Sequence, residues 1–214
     1  MSDPLLAYEY VDGALVHKRM AGRSMPVPPK WVRDAAGTPE MDRYACLSKE
    51  IADYYPEDVR NVLVSYVKEY PEVCYYGSTL VIAGNSVTVR RRQWAASAVM
   101  NEITMRFGQT MPVDTEWVNY QWLRTVAQAD TKARAMARMF DIQNLIVLEP
   151  QMASLGSPEA YMIQDIFSYR WNKKKPTVVS ITMPQTNAWE DMYESLGPLI
   201  PEMLRDTCHY ITRY

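Results

Sequence analysis

The sequence contains few of the residues that build disulfide frameworks and metal centres. Its 214 residues include three cysteines and two histidines. Cys46, Cys74 and Cys208 are widely spaced and odd in number, which disfavours a disulfide-stapled fold and suits a reducing compartment. His17 and His209 lack the spacing of zinc ligands. The sequence therefore predicts no bound metal.

Long apolar runs and a strong net charge are also missing. The longest apolar runs, such as "LVIA" at 80–83, are too short to span a bilayer. The N-terminus, "MSDPLLAYEY", is acidic and has no apolar core like that of a signal peptide. The net charge is −2, so bulk charge does not indicate a nucleic-acid binder. These features predict a cytoplasmic protein with no membrane partner.

The hydrophobic pattern predicts an α/β domain. Residues 1–50 should be a largely irregular extension, because "RSMPVPPKW" carries three prolines, and residues 51–214 should form the domain. A helical pattern runs from Met41 to Tyr70. Beyond it, strands and helices alternate, which indicates a mainly parallel sheet with helices on both faces. The expected strands are Thr79–Ala83, "MPVDTEWV", Asn144–Leu148 and Pro176–Thr182, and the first, third and fourth should be adjacent. The expected helices lie at about Gln93–Phe107, Tyr120–Gln128, Thr131–Phe140, after Ser157-Pro158-Glu159, and at Pro201–Cys208.

Three segments, in order, resemble one family of ATPases. The first is "LVIAGNSVTVRRRQWAASAVMNEI", an apolar strand that ends at a glycine and leads through a polar loop into a helix. The second, residues 141–184, has a strand, a helix ending in "YRW", the basic turn "KKK" and a further strand. The third is "SLGPLIPEMLRDTCHYI". Together they resemble the AAA+ ATPases of the DnaC/DnaI/IstB group, the helicase loaders and transposition helpers. The resemblance implies a P-loop NTPase-like fold with little or no C-terminal lid.

The resemblance places a degenerate phosphate-binding loop after the first strand. A working loop reads G-x-x-x-x-G-K-[ST]. Counting from Gly84 puts Val89 at the second glycine, Arg90 at the lysine and Arg91 at the Ser/Thr, whereas alignment on the helix puts Arg92 at the lysine. Valine should be strained at a glycine position. Arg91 should repel magnesium, since unit charges about 4 Å apart cost roughly 4 kcal/mol at an effective dielectric near 20. The implied nucleotide-site residues are Gly84, Asn85, Ser86, Thr88, Arg90, Arg91 and Arg92.

Three further motifs of the group are altered. At Walker B, Glu149-Pro150 replace Asp-Glu, so no side chain orients the attacking water. At sensor 1, Ile181-Thr182 replace Ser-Asn. In the finger segment, Glu202-Met203 replace Ser-Arg, and Arg205 is displaced by about half a turn. The altered positions are thus Glu149, Pro150, Thr182, Met203 and Arg205.

The resemblance and its departures together predict a catalytically inactive protein with no catalytic residue and no cofactor. Its expected role is that of a binding or assembly partner, or a loader mimic, in DNA replication or mobile-element DNA transactions. The implied partners are a replicative helicase or other AAA+ subunits, and DNA is a further candidate. Loaders of the group usually carry a separate N-terminal domain. With one cysteine in the first 50 residues, a zinc module is excluded here and a full helicase-binding domain is not expected.

Two alternatives use the basic loop. A divergent ATPase would hold phosphate with Arg90 or Arg92 and magnesium with Glu149, and only this alternative calls for ATP and magnesium. A DNA-binding module would hold phosphates without turnover. Three cations at a helix start oppose the helix dipole and predict a resident anion. We favour pairing of Arg90 or Arg92 with Glu149 over DNA. Lys173–Lys175 are interpreted as a solvated surface. Tyr75-Tyr76 are interpreted as core or interface residues, with base stacking as the alternative.

Overall fold

A computed structural model describes residues 8–11, 14–17, 30–42, 45–47, 55–129, 131–153, 156–183, 197 and 199–214. Two short strands, β1 (Tyr8–Val11) and β2 (Ala14–His17), pair antiparallel. The main sheet has five parallel strands in the order β4-β5-β6-β3-β7. They are β3 (Thr79–Gly84), β4 (Thr115–Asn119), β5 (Asn144–Leu148), β6 (Thr177–Thr182) and β7 (Tyr210–Arg213). The three apolar strands expected to be adjacent are adjacent, as β5-β6-β3.

Helices cover both faces of this sheet. They are α1 (Lys30–Ala36), α2 (Glu57–Lys68), α3 (Tyr70–Tyr76), α4 (Val89–Phe107), α5 (Tyr120–Ala127), α6 (Lys132–Asp141), α7 (Pro158–Asn172) and α8 (Leu199–Thr207). Side chains of a strand alternate between faces. Along β3, Leu80 and Ile82 pack with α2, α3 and α4, whereas Val81 and Ala83 pack with α5 to α8. The predicted layered α/β fold is confirmed.

Local sequence signals set several helix boundaries. Ser157 caps α7 by accepting a hydrogen bond from the Ala160 amide at 3.1 Å, and Pro158 occupies the first helical position, as predicted. Asn119 likewise accepts from the Trp122 amide at 2.8 Å at the start of α5. Gly77 ends α3 with φ 70°, a left-handed conformation that glycine adopts without strain. None of the described helices has both the length and the apolar character needed to cross a bilayer.

Several elements differ from the sequence-based predictions. Helix α4 begins at Val89 instead of Gln93, so all three arginines lie in its first turn. Within the helix expected from Met41 to Tyr70, Glu57–Lys68 is helical as α2, whereas Glu40–Asp42 is a 3₁₀ turn and residues 45–47 are not helical. Residues 43, 44 and 48–54 lie outside the described residues. Strand β7 was not predicted, because it is a short edge strand with a single buried residue, Thr212.

The described residues of the predicted N-terminal extension include regular structure. Besides the β1–β2 hairpin it contains α1, and Ala36, Ala45 and Leu47 are buried in the same core as α4. The Thr38 hydroxyl donates to the Asn101 side chain of α4 at 2.7 Å, and the Asn101 amide group donates to the Ala45 carbonyl at 3.0 Å. Residues 36–42 and 45–47 therefore lie against α4, and the predicted boundary at residue 50 falls outside the described residues.

Arg170, in the "YRW" sequence of α7, is a buried residue that links separate segments of the chain through hydrogen bonds. It is 1% exposed, and its guanidinium donates to four carbonyls and one hydroxyl. The acceptors lie 2.5–3.0 Å away and belong to Met139, Ile142, Gln143, Pro176 and Thr177. Burial lowers the pKa of Arg170 to about 10. The hydrogen bonds of Arg170 thus connect the α6–β5 turn to the start of β6.

Candidate functional site

The candidate site lies at the carboxyl edge of the sheet, where ligands bind in open α/β folds. Gly84 ends β3, Thr182 ends β6 and Glu149 follows β5. Because these strands are parallel neighbours, the structure brings together the loop, Walker B and sensor 1 positions identified in the sequence. Met203 and Arg205 do not join them. Met203 is a buried residue of α8, and Arg205 is exposed on the same helix.

Arg92 occupies the centre of this site. Its side chain is 0% exposed. One terminal nitrogen, Nη2, donates to Glu149 Oε1 at 2.7 Å and to the Thr182 hydroxyl at 2.6 Å. The other, Nη1, donates to the Asn85 carbonyl at 2.7 Å and to the Thr88 hydroxyl at 2.6 Å. The predicted pairing of Arg92 with Glu149 is confirmed, and the guanidinium bridges the three motif positions.

Glu149 is hydrogen-bonded through both carboxylate oxygens. Oε1 also accepts from the Ser180 hydroxyl at 3.2 Å, and Oε2 accepts from the Thr182 amide at 3.1 Å, from its hydroxyl at 2.6 Å and from Gln151 Nε2 at 2.6 Å. Burial by itself raises the pKa of Glu149, but the hydrogen bonds from Thr182 and Arg92 outweigh it, so the pKa lies below its ordinary value. Glu149 is therefore ionised at neutral pH.

The backbone of Glu149 is in an unusual conformation. It has φ 52° and ψ 52°, a left-handed geometry that costs a non-glycine residue about 1–2 kcal/mol. Its amide donates to the Ser180 carbonyl at 2.8 Å, which holds the turn in place. The sequence analysis did not identify Ser180 and Gln151 as residues of this site. A serine inside the apolar strand "VVSIT" was the available signal for Ser180.

The loop between β3 and α4 is built around a carbonyl group. The Asn85 carbonyl accepts from the Thr88 amide at 3.1 Å, from the Thr88 hydroxyl at 2.9 Å and from Arg92. The Asn85 side chain accepts from the Val87 amide at 3.1 Å. Phosphate-binding loops instead point backbone N–H groups inward. The prediction of backbone strain at Val89 is wrong, because the φ of −48° and ψ of −50° at this residue are ordinary helical values.

Gly84 is required by close packing. A Cβ atom at this position would lie closer than 3.0 Å to the Thr88 hydroxyl and 2.9 Å from Arg92 Nη1. It would also lie 3.2 Å from Tyr214 Cβ. The glycine thus lets the loop close tightly over the arginine.

The three adjacent arginines have three different environments. Arg90 forms an ion pair with Asp42, whose side chain is 2% exposed, and Asp42 also accepts from the Ser97 hydroxyl at 2.9 Å. Arg91 is exposed. Of the two arginines predicted for Glu149, only Arg92 contacts it, and the partner of Arg90 was missed. The predicted resident anions are present inside the chain as Asp42 and Glu149.

Comparison with known proteins identifies the fold. No protein-family model and no curated protein match the sequence. Among solved structures, the DnaC helicase loader superimposes with a TM-score of 0.65 at 16% identity, over 82% of this chain and 99% of that chain. The chain therefore shares the fold of the DnaC helicase loader structure. DnaI matches with a TM-score of 0.59 at 16% identity, over 78% of this chain and 89% of that chain.

A nucleotide-bound structure is similar over part of a longer chain. AMPPCP-bound DnaA from Aquifex aeolicus matches with a TM-score of 0.52 at 11% identity, over 72% of this chain and 44% of that chain. At such low sequence identity, the comparisons establish only the fold. The chemistry of the site is therefore argued from the contacts of Arg92 and Glu149.

Proposed function

We propose that this chain is a non-hydrolysing protein with the helicase-loader fold that acts as a binding or assembly partner. Its setting is DNA replication or mobile-element DNA transactions, and its location is the cytoplasm. The observation that carries the first half of the proposal is the buried guanidinium of Arg92, which is held by Glu149, Thr182, Asn85 and Thr88.

The contacts of Arg92 disfavour a nucleotide phosphate. Removing one partner of a buried ion pair costs about 3–5 kcal/mol. A ligand that binds at 1 mM gains only about 4.1 kcal/mol. A phosphate that displaced Glu149 from Arg92 would therefore have to offset a cost that is about as large as the whole binding free energy of a millimolar ligand. It would also meet the Asn85 carbonyl, whose oxygen faces the arginine and would repel an anion.

The same residues do not fit magnesium. Both carboxylate oxygens of Glu149 already accept hydrogen bonds, and one of them pairs with a cation. Pro150 is buried and supplies no carboxylate. Arg91, at the position of the hydroxyl ligand in the group, carries positive charge. No step through a metal-bound nucleotide follows from this arrangement.

Calorimetric titration with ATP, with and without magnesium, tests this part of the proposal. We expect no saturable binding below about 1 mM and no phosphate release by the purified protein. Glu149→Ala should also show no turnover. Hydrolysis by the native chain that disappears in Glu149→Ala would instead establish the divergent ATPase. Arg91→Ala is the matched control, because that side chain is exposed and outside the Arg92 cluster.

The partner half of the proposal rests on fold analogy with the DnaC and DnaI structures. The candidate partners are the replicative helicase of the same cell and other AAA+ subunits. Sedimentation of the chain with purified helicase should give a complex whose affinity is the same with and without ATP. The absence of a complex with the helicase and with active AAA+ relatives would refute this half and leave the nucleotide result standing.

A further inference from the structure

Strand β4 forms one edge of the main sheet, and it pairs on one side only, with β5. The Asn144 amide donates to the Asp114 carbonyl at 3.0 Å, which shows that the backbone groups of Asp114 point towards β5. Successive residues of a strand direct their N–H and C=O groups to opposite sides. Thr115, Trp117 and Asn119 therefore direct theirs away from β5, and groups of this kind on a sheet edge are a template for a further strand.

The first half of this edge is covered, whereas the second half is not. The end of α1 lies against Thr115, because a Cβ added at Gly37 would be 3.0 Å from the Thr115 carbonyl oxygen. The Trp117 indole N–H holds this end of α1 by donating to the Ala36 carbonyl at 3.3 Å. No described residue forms a hydrogen bond with the outward-facing N–H and C=O of Trp117 or with the N–H of Asn119. These three groups are defined here as the open edge.

A pocket of about 430 Å³ lies beside the open edge, on the face of the sheet that carries α5 and α6. Glu116 of β4 forms one side of it, and Trp122, Ala135 and Met139 supply apolar surface. Val118, which shares a face of β4 with Glu116, is buried against these helices. A strand added to the open edge would direct every second side chain to the same face as this pocket.

The rim of the pocket carries positive charge. Arg138 forms an ion pair with Glu116, with Nη2 and Oε2 2.5 Å apart. Arg134, one turn earlier on α6, lines the same pocket and is exposed, and it forms no ion pair with another described residue. An acidic side chain is the complement of this second guanidinium in both charge and hydrogen-bonding geometry.

We propose that an extended peptide segment of a partner protein adds to the open edge as a sixth strand and places an apolar and an acidic side chain in the pocket. Main-chain hydrogen bonds to Trp117 and Asn119 supply affinity, and the pocket supplies specificity. Because residues i and i+2 of a strand share a face, the segment carries its acid two positions from the apolar residue. The apolar side chain packs on Trp122 and Met139, and the acid pairs with Arg134. The proposal does not rest on the proposed function, because neither nucleotide nor helicase takes part.

The covered half of the edge disfavours a second copy of this chain as the added strand. If two β4 strands paired antiparallel around Trp117, Thr115 of each copy would lie opposite Asn119 of the other copy. The end of α1 covers Thr115, so it would collide with the incoming strand. A peptide segment without a flanking helix pairs with the open edge and leaves Thr115 unpaired.

Fluorescence anisotropy with the labelled peptide TETFTET tests the proposal. Its glutamates flank the phenylalanine on one face, so either strand direction presents an acid to the rim. We expect saturable binding, and replacement of the phenylalanine by serine should weaken it roughly tenfold or more, the usual effect of losing a buried aromatic side chain. N-methylation of two successive amides should abolish binding, because one of the two must face β4 in any register. Amide hydrogen exchange at Trp117 and Asn119 should slow with the unmodified peptide only.

Charge reversal at the rim tests the contact with the acid. Arg134→Glu should weaken binding of TETFTET by roughly threefold or more, since an exposed ion pair contributes up to about fivefold and like charges cost a similar factor. The same variant should bind TKTFTKT better than the native chain does. Lys132→Glu is the matched control, because Lys132 is exposed on the same helix, points about 160° away and does not line the pocket.

Urea midpoints of both charge variants should match the native chain, because the substituted side chains are exposed. Absence of TETFTET binding, equal binding of the N-methylated peptide, or equal losses in Arg134→Glu and Lys132→Glu would overturn the proposal. Dimerisation of the free chain that slows exchange at Trp117 would also overturn it and assign the open edge to a second copy.

Discussion

Arg92 and Glu149 form a buried ion pair, with Nη2 and Oε1 2.7 Å apart, that joins the first turn of α4 to the end of β5. The side chains are 0% and 14% exposed, so solvent screens the pair little. Thr182 completes the cluster by accepting from Arg92 and donating to Glu149. Removal of either charged partner leaves the other charge buried without its counterion.

Arg92→Met should lower the free energy of unfolding by about 3–5 kcal/mol, because Glu149 would keep its charge without a cation. Urea denaturation measures the change. In the double variant Arg92→Met/Glu149→Gln, the loss should be smaller than the sum of the single losses, because neither charge remains. Additivity within about 0.5 kcal/mol would show that the two side chains are not coupled.

The three adjacent arginines provide an internal comparison. Alanine at Arg90 or Arg92 should each destabilise the fold by about 3–5 kcal/mol, because Asp42 and Glu149 would lose their buried partners. Alanine at the exposed Arg91 should change stability by less than about 0.5 kcal/mol. Thermal and urea unfolding of the three variants gives the order. An Arg91 effect equal to the others would mean that all three face a common anion.

Acid should weaken the Glu149 contribution selectively. The pKa of Glu149 is lowered in the folded state, so its stabilisation is fully present above the ordinary value of 4.5 and is lost as pH falls through the folded value. The stability difference between the native chain and Glu149→Gln should therefore be constant from about pH 5.5 to 7.5 and shrink below pH 4.5. A difference that is independent of pH down to acid unfolding would contradict this assignment.

Gly84→Ala should destabilise the protein by about 1–3 kcal/mol, the usual cost of overpacking. The added methyl group would collide with the Thr88 hydroxyl and approach Arg92. In a Thr88→Ala background, Gly84→Ala should cost less, because the closest atom is gone. Gly156→Ala is a control for backbone strain alone, since Gly156 has φ 79° and no atom within 4 Å of its added Cβ. Equal costs in both Thr88 backgrounds would rule out the steric explanation.

Much of the architecture was predictable from local sequence. Asn144–Leu148 and Thr177–Thr182 are continuous apolar runs, which is the pattern of strands buried on both faces, and Ser157-Pro158 marks a helix start through chemistry confined to one turn. Strand β7 has no such pattern, because it is short and largely exposed at the edge of the sheet. The Arg90–Asp42 pair joins residues 48 positions apart, and no local rule relates them.

The sequence by itself determined that an apolar parallel sheet would bring Glu149 to the same edge as the arginine loop. Which arginine reaches Glu149 was decided only by the tertiary structure. Each helical residue turns the chain by about 100°, so Arg90 and Arg92 point about 160° apart around α4. The rotation of α4 about its axis is set by the packing of its buried face, from Trp94 to Thr104, against the sheet and against residues 36–42 and 45–47. That packing directs the Arg92 side chain beneath the β3–α4 loop to Glu149. It directs the Arg90 side chain the other way around the helix, to Asp42.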